Sequence, residues 1–175
     1  MSRTLSPRAF ASMIRVNQAG EYGAKRINAG QLAIMGDRHP AARSIAHMAE
    51  QEQRHLDAFD RIIAERGIRP TVVQPFWHVA GFALGAVSAA IGPEAAMACI
   101  AAVETEIDAH YREQLEELGD TEPELAAQIA DFRAEELEHR DTALAEGAER
   151  APGYPIMSAA IRLGCRAAIA LAKRV

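Results

Sequence analysis

Cysteine is scarce in this sequence, and the motifs of nucleotide-binding folds are missing. Only two cysteines occur, Cys99 and Cys165, and no Cys-x-x-Cys pair is present. A disulfide scaffold and a cysteine-bound iron–sulfur centre are therefore excluded, and a reduced compartment is the simplest interpretation. There is also no P-loop and no Gly-x-Gly-x-x-Gly turn, so a nicotinamide would have to bind without a Rossmann unit.

Acidic residues are missing from the last part of the chain. After Glu149 there is no Asp or Glu, while five Lys and Arg residues follow. The net charge is −5, so this tail carries +5 and the first 149 residues carry −10. An acidic body argues against nucleic acid, whose phosphates need a basic surface. The basic tail instead points to a membrane surface or an acidic partner.

Charged residues are absent from positions 70–93, a mostly apolar stretch. Its helical core spans about 16 residues, whereas roughly 20 are needed to cross a bilayer. Gly81 and Gly85 form a Gly-x-x-x-Gly pattern, which indicates close helix packing. Two interpretations remain open, a buried crossover helix or a helix lying on a membrane. Residues 156–174 form a basic amphipathic pattern, and both segments are candidate elements for peripheral membrane contact.

Alternation of apolar and polar residues with a period of two is also missing, so we predict no strands. Helical patterns separated by Gly- and Pro-containing turns predict helices at about 7–35, 40–66, 76–91, 94–118, 124–149 and 156–174. A chain of 175 residues suffices for one core, and we predict a single all-α domain over residues 1–175. Residues 1–15 lack a secretory signal pattern, so we expect a protein on the cytoplasmic side of the cell membrane.

Two Glu-x-x-His motifs lie on predicted helices, at Glu52–His55 and Glu136–His139. Residues three apart share a helical face, so both side chains of a motif can approach one point. A further glutamate precedes each motif at a matched distance. Glu21 lies 31 residues before the first motif, and Glu104 lies 32 residues before the second. In each half of the chain, a turn falls near the middle of this interval.

The spacing from each turn places these residues at one height. Glu21 lies 15 residues before Gly36, and Glu52 lies 12 residues after Pro40, which correspond to about 22 Å and about 18 Å of helix. The second hairpin repeats this pattern. Two hairpins joined by a long crossover give a four-helix bundle with the ligand set of ferritin-like di-iron or di-manganese proteins. The candidate metal ligands are Glu21, Glu52, His55, Glu104, Glu136 and His139.

Nearby acids compete with two of these assignments. Glu104 lies on an apolar stripe, whereas Glu106 shares its side with other polar residues and is expected to be solvated. Glu135 is four residues before His139, and the match with the first motif favours Glu136 instead.

Glutamate and histidine ligands without cysteine suit iron or manganese better than structural zinc. Inward charges without a metal would cost several kcal/mol each in desolvation.

The remaining polar candidates are weaker. Tyr111 lies two turns from Glu104 on the same face. It is either a core residue or a hydrogen-bonding or redox-active neighbour of the metals, and we treat it as the candidate catalytic residue. His39, His47 and His110 are expected to be structural or solvated.

The segments around all six candidate ligands resemble the demethoxyubiquinone hydroxylase family, the di-iron monooxygenases of ubiquinone biosynthesis. The resemblance rests on residues 15–24 (RVNQAGEYGA), 50–56 (EQEQRHL), 102–111 (AVETEIDAHY) and 132–141 (FRAEELEHRD), and it extends from about Met13 to the C-terminus. No ligand position departs from the family pattern. The resemblance implies a ferritin-like fold with two additional apolar or amphipathic helices.

The resemblance also implies a cofactor, a substrate and partners. Two iron ions per chain would be bridged by Glu52 and Glu136, with NADH as reductant. Together with O2, the enzyme would hydroxylate 2-polyprenyl-3-methyl-6-methoxy-1,4-benzoquinone at its unsubstituted ring carbon. It would associate peripherally with the membrane that holds this lipid. A homodimer and contact with accessory proteins of ubiquinone biosynthesis are compatible with the family.

Two rival interpretations stay open, and a third is disfavoured. A ferroxidase or iron-handling protein would use the same six ligands, but it would be expected to assemble into a soluble shell without membrane helices. A metal-free helical interaction module would tolerate Glu-to-Gln changes at these positions. A peroxidase of the rubrerythrin type would be expected to carry a Cys-rich electron-transfer domain, and this sequence has only two cysteines.

Overall fold

A computed structural model describes residues 5–37 and 39–174, and these residues form helices and connecting turns without any strand. The predicted domain limits, Met1 and Val175, and Arg38 of the first turn lie outside the described residues. The α-helices are α1 (Pro7–Met35), α2 (Pro40–Arg66), α3 (Gln74–Ile91), α4 (Pro93–Leu118), α5 (Pro123–Ala145) and α6 (Tyr154–Ala172), with a short 3-10 helix at Ala148–Arg150.

Proline explains where the helices begin. Each of the six α-helices has a proline at its first or second position, where a missing N–H leaves no hydrogen bond unmade. Ser6 also caps α1, because its side chain accepts a hydrogen bond from the Ala9 N–H at 3.2 Å. The predicted boundaries agree closely with these helices. α5 ends four residues earlier than expected, because Gly147 adopts φ 99° and starts the 3-10 turn.

Two helical hairpins form the bundle. α1 packs along α2, and α4 packs along α5, while contacts between α2 and α5 join the hairpins. α3 connects the hairpins and lies mainly against α1, and α6 lies mainly against α4. The expected all-α architecture, a four-helix bundle with two additional helices, is confirmed.

α3 approaches α1 closely because glycines line the contact. A Cβ atom at Gly85 would stand 1.9 Å from the Ile27 carbonyl oxygen, and one at Gly30 would stand 2.1 Å from the Phe82 carbonyl oxygen. Only glycine fits at such distances. The close packing that the Gly-x-x-x-Gly pattern indicated is therefore present, with α1 as the partner of α3.

Two apolar clusters fill the bundle, one toward each end. The first includes Ile45, Met97 and Ala143, and the second includes Phe59, Tyr111 and Phe132. On α2, α4 and α5, the candidate ligands lie between the residues of these two clusters. The metal-binding candidates thus occupy the middle of the bundle, as the spacing from the turns predicted.

The outer helices leave large apolar side chains exposed. On α3 these include Phe76 at 61% exposure and Val79 at 67%, and on α6 they include Ile156 at 79% and Leu163 at 67%. Among the described residues, α6 is the one helix that length and composition would allow to cross a membrane.

Candidate metal centre

Six buried side chains from four helices converge in the middle of the bundle. They form two groups, and within each group one donor atom per residue lies within 4.8 Å of the others. Glu52 and Glu136 belong to both groups, which is the arrangement expected of carboxylates that bridge two ions. The first group adds Glu21 and His55, and the second adds Glu104 and His139. The sequence-predicted set is therefore brought together without exception.

The donor atoms are suited to cations because many of them lack a proton donor. Among residues 5–37 and 39–174, no well-aligned hydrogen-bond partner is found for Glu21 Oε2, both oxygens of Glu52, Glu104 Oε2, Glu136 Oε1 or His55 Nδ1, although the last two atoms lie 3.0 Å apart. All of these side chains are at most 4% exposed. Buried polar atoms without partners are costly, and a metal would satisfy them together. Four carboxylates and two imidazoles match the donor set of carboxylate-bridged iron or manganese pairs.

The pKa values of the metal-free cluster reflect its crowding. Burial, reinforced by neighbouring carboxylates, raises the pKa of Glu52 and that of Glu104 well above the usual range. Burial alone would lower the pKa of His55, but oxygens of Glu136 and Glu21, at 3.0 and 3.4 Å from Nδ1, raise it to about 10. The pKa of Glu136 falls to about 2, because His139 and His55 outweigh the raising effect of burial. The cluster therefore favours a positive charge at its centre.

Both histidines present Nδ1 to the cluster and use Nε2 elsewhere. His55 Nε2 lies 2.7 Å from an oxygen of Glu135, which also accepts a hydrogen bond from Arg54. His139 Nε2 lies 2.9 Å from Gln51 Oε1. The outer acceptor fixes the tautomer of an imidazole and leaves Nδ1 free to bind a metal. Partial burial would raise the pKa of Glu135, but Arg54 and His55 lower it below the usual range.

Sequence reasoning missed these two acceptors. Gln51 immediately precedes Glu52, and Glu135 immediately precedes Glu136, so each stands just before a Glu-x-x-His motif. Each one contacts the histidine of the other motif across the bundle. The sequence did contain a signal for them, because a hydrogen-bond acceptor stands at the same position before both motifs. The competition between Glu135 and Glu136 is thus explained, since the first serves His55 and the second faces the cluster.

Tyr111 touches the candidate centre. Its side chain is 1% exposed, and its hydroxyl donates a hydrogen bond to Glu21 Oε1. Burial and the nearby carboxylates raise the pKa of this phenol well above its usual value, so it stays protonated and donates. This contact fits the hydrogen-bonding alternative, and a catalytic role for Tyr111 remains a prediction.

The comparisons with known proteins agree with this geometry. The family model described as Ubiquinone biosynthesis protein COQ7 matches residues 8–172. The chain belongs to this family. A relative from Rhodospirillum rubrum named 3-demethoxyubiquinol 3-hydroxylase is 51% identical over 171 residues, which are 97% of this chain and 81% of the relative. The family expected from the sequence is confirmed.

Eukaryotic relatives of this COQ7-family chain match it over a similar length. The Homo sapiens protein is 46% identical, covers 98% of this chain and 80% of its own length, and is named NADPH-dependent 3-demethoxyubiquinone 3-hydroxylase, mitochondrial. The Saccharomyces cerevisiae protein is 39% identical over 93% of this chain and 77% of its own length, and is named 5-demethoxyubiquinone hydroxylase, mitochondrial.

An apolar cavity of about 440 Å³ lies in this COQ7-family chain between α1, α3, α4 and α6. Its lining includes residues next to the candidate ligands: Gly20 flanks Glu21, and Val103 flanks Glu104. Trp77 of α3 and Ala168 of α6 line it from the outer helices. The cavity can therefore take an apolar molecule beside the candidate centre.

The expectation that Glu106 is solvated is wrong. Glu106 is 6% exposed and accepts hydrogen bonds from Arg162 at 2.6 Å and from Arg166 at 2.7 Å, both on α6. Its burial is tolerated because two guanidinium groups satisfy the carboxylate. Hydrogen bonds from Arg166 and then Arg162 hold the pKa of Glu106 below its usual range, although burial opposes them. Glu106 also lines the apolar cavity, and it joins α6 to α4 there.

His110 is structural, as expected. It is 8% exposed and its Nε2 lies 2.7 Å from the amide nitrogen of Gln114, which in turn pairs with Asn17 of α1. Burial lowers the pKa of His110 to about 4, and the charge of Lys173 acts in the same direction. His39 caps the start of α2 by accepting a hydrogen bond from the Ala41 N–H.

Proposed function

We propose that this COQ7-family chain is an O2-dependent di-iron monooxygenase that hydroxylates the ring of demethoxyubiquinone. The observation that carries the proposal is the pair of four-donor groups that share two glutamates beside an apolar cavity. The hydroxylase names of the relatives support the same reaction class.

The proposed ligands divide between two iron ions. Glu21 and His55 would hold one ion, Glu104 and His139 would hold the other, and Glu52 and Glu136, which belong to both groups, would serve both ions. When bound, the ions would supply the redox chemistry that lets O2 react with the quinone ring. The protein holds the ligands at fixed positions, orients both imidazoles through their outer acceptors and excludes water by burial.

The reaction balances with an external reductant. One oxygen atom of O2 is inserted into the C–H bond at the unsubstituted ring carbon of 2-polyprenyl-3-methyl-6-methoxy-1,4-benzoquinone. The other oxygen atom is reduced to water. A reduced nicotinamide supplies the two electrons. The resemblance implied NADH, whereas the human relative is named for NADPH, so both nucleotides belong in the assay.

The cavity is the proposed site of the polyprenyl benzoquinone. It opens next to the backbone that carries Glu21 and Glu104, and apolar side chains of α3 and α6 line its outer part. Burying an apolar tail there is favourable, at about 25 cal/mol per Å² of surface removed from water. The quinone ring would then lie toward the ligand cluster.

Reconstitution with iron tests the proposal. Anaerobic protein is loaded with Fe²⁺, its metal content is measured, and O2, NADH or NADPH and the demethoxy quinone are added. We expect about two irons per chain and a hydroxylated product that carries ¹⁸O from ¹⁸O2. Ferric iron that accumulates without product would identify a ferroxidase. Failure to bind stoichiometric metal would contradict the di-iron site itself.

We also propose peripheral association with the cytoplasmic face of the cell membrane, through the exposed apolar side chains of α3 and α6. The cavity lies between these helices and α1 and α4, so a lipid substrate could enter from the bilayer. Two arginines of the basic tail pair with Glu106, so part of its positive charge is already neutralised within the protein, and the proposed contact is assigned to the exposed apolar side chains.

Binding to vesicles tests this contact. Wild-type protein should co-sediment with phosphatidylglycerol-containing vesicles, and Val79→Ser with Leu163→Ser should release it. Ile34→Ser is the matched control, because Ile34 is 52% exposed on α1 and belongs to neither outer helix. Equal binding of the double variant and the control would contradict the proposed surface.

A further inference from the structure

The two histidines of the candidate centre have unlike outer acceptors. His55 Nε2 meets the carboxylate of Glu135 at 2.7 Å, and His139 Nε2 meets the amide oxygen of Gln51 at 2.9 Å. The two acceptors occupy the same position in their motifs, immediately before the shared glutamate. The centre is therefore nearly two-fold symmetric in its ligands and asymmetric in the charge behind them.

The carboxylate behind His55 is held in place by a second charge. Arg54 forms an ion pair with Glu135, so the acceptor is linked from the surface of α2 to the buried imidazole. Gln51 has no charge. A carboxylate accepts a stronger hydrogen bond from an imidazole N–H than an amide does, and it makes the other ring nitrogen a better donor to a metal.

The two unshared glutamates also differ, and again the residue in the group of His55 has the additional hydrogen bond. Glu21, which shares a group with His55, accepts a hydrogen bond from the buried hydroxyl of Tyr111. Glu104, which shares a group with His139, accepts no hydrogen bond from the residues that the structure describes, whereas Glu21 lacks a partner at Oε2 alone. The first position therefore has both of its unshared ligands fixed by neighbours, and the second has only its histidine fixed.

We propose that the two metal positions are inequivalent, and that Glu135 and Gln51 make the ion at Glu21 and His55 the more tightly held. This inference rests on the proposed di-iron site and adds an order of binding to it. Glu135 and Gln51 act here as positioning residues, because they contact the histidines and not the metals. The position at Glu104 and His139 fills second and empties first.

Metal binding to isosteric variants tests the proposal. Anaerobic Fe²⁺ is titrated into metal-free protein against a competing chelator. The wild type should show two steps. Glu135→Gln should weaken the tighter step by roughly 10- to 100-fold and leave the weaker one in place. Gln51→Glu should tighten the weaker step. Glu138→Gln is the matched control, because it removes the same charge from α5 at an exposed position.

Mössbauer spectra at one equivalent of ⁵⁷Fe²⁺ supply a readout that is independent of turnover. One quadrupole doublet should dominate in the wild type, and the doublet of the other position should dominate in the Gln51→Glu, Glu135→Gln double variant. Arg54→Gln removes the ion pair with Glu135 but keeps the contact between Glu135 and His55. The ion at Glu21 and His55 should still bind first in this variant.

The outcomes separate this inference from the function on which it rests. Two bound ions with equal affinities in the wild type, or an effect of Glu135→Gln no larger than that of Glu138→Gln, would overturn the inequivalence while leaving the di-iron site intact. A wild-type protein that binds no stoichiometric iron would overturn both. Unchanged melting temperatures of the metal-free variants would show that the differences arise at the centre.

Discussion

An ordinary soluble protein has an apolar interior and a polar surface. In this chain the middle of the bundle is polar, and the outer face of α3 and α6 is apolar. In the interior, four glutamates and two histidines are nearly inaccessible to water. On the outer face, large apolar side chains such as Val79 and Leu163 are about two-thirds exposed. Each arrangement is unfavourable for the isolated chain. The proposed pair of iron ions inside and the proposed membrane contact outside would account for these two arrangements.

Removing a shared ligand should have the largest effect on the interior. Glu52→Gln withdraws a charge from both four-donor groups, so we expect loss of stoichiometric iron and of hydroxylation. At free metal near 1,000 times Kd, wild-type protein should gain about 4 kcal/mol of stability. For a chain of this size that corresponds to a rise in Tm of about 8–16 °C on metal loading.

The control for this prediction lies two residues away. Glu50→Gln removes the same charge from an exposed position of α2. It should retain both ions and the full metal-induced rise in Tm, which calorimetry with and without metal would measure. A normal rise in Glu52→Gln would show that the interior charges do not require a cation.

The attachment of the outer face to the interior depends on the glycines of α3. In Gly85→Ala, the new methyl group would meet the Ile27 carbonyl oxygen, so α3 would have to move away from α1. We expect a loss of about 1–3 kcal/mol in the free energy of unfolding. Gly164→Ala is the matched control, because a Cβ atom there would meet no described atom within 4 Å apart from the neighbouring backbone of its own helix. Denaturant unfolding would distinguish them, and equal stabilities would contradict the close contact.

The cavity between the two regions should be sensitive to filling. Ala168 lines it on α6, whereas Ala170 is exposed on the same helix and does not. Ala168→Leu should raise KM for the prenylated quinone about tenfold, since a few methylene groups of the tail lose their place. Ala170→Leu should leave KM unchanged. An equal KM in both variants would show that the tail binds elsewhere.

The interior should also respond to pH when no metal is bound. The pKa of His55 is raised to about 10 in the folded state, and its usual value in an unfolded chain is near 6.5. Its contribution to stability is complete below pH 6.5 and is lost as pH rises toward 10. The raised pKa values of Glu52 and Glu104 act in the same direction.

Between pH 7 and pH 8, metal-free protein should therefore lose on the order of 1 kcal/mol of stability. Protein loaded with metal should lose much less, because the ions keep His55 deprotonated at every pH in this range. Urea unfolding at the two pH values, with and without Fe²⁺ under anaerobic conditions, measures the difference. Greater stability of the metal-free protein at pH 8 would reverse the expected sign.

Much of the interior could be predicted from sequence because it depends on helical geometry. Gly36 and Pro40 mark where α1 ends and α2 begins, and a constant rise per residue then sets the heights of Glu21 and Glu52. The acceptors of the histidines could not be predicted in this way, since Gln51 and Glu135 reach across from the opposite helix. Such contacts depend on the distance and rotation between helices, which periodicity within one helix does not encode.

Glu106 illustrates the same limit, and it provides the smallest predicted effect. On α4 alone it belongs to a polar side, but arginines of α6 cover it.

Glu106→Gln should weaken the attachment of α6 and lower Tm by at most about 2–4 °C, because Arg162 and Arg166 remain 40% and 58% exposed. Glu113→Gln, at an exposed position of α4, is the control. Ion pairs are screened by salt, and the Debye length falls to about 3 Å at 1 M. The difference in Tm between the two variants should therefore shrink between about 0.05 and about 1 M NaCl. A difference that is independent of salt would mean that packing, and not charge, joins α6 to the bundle.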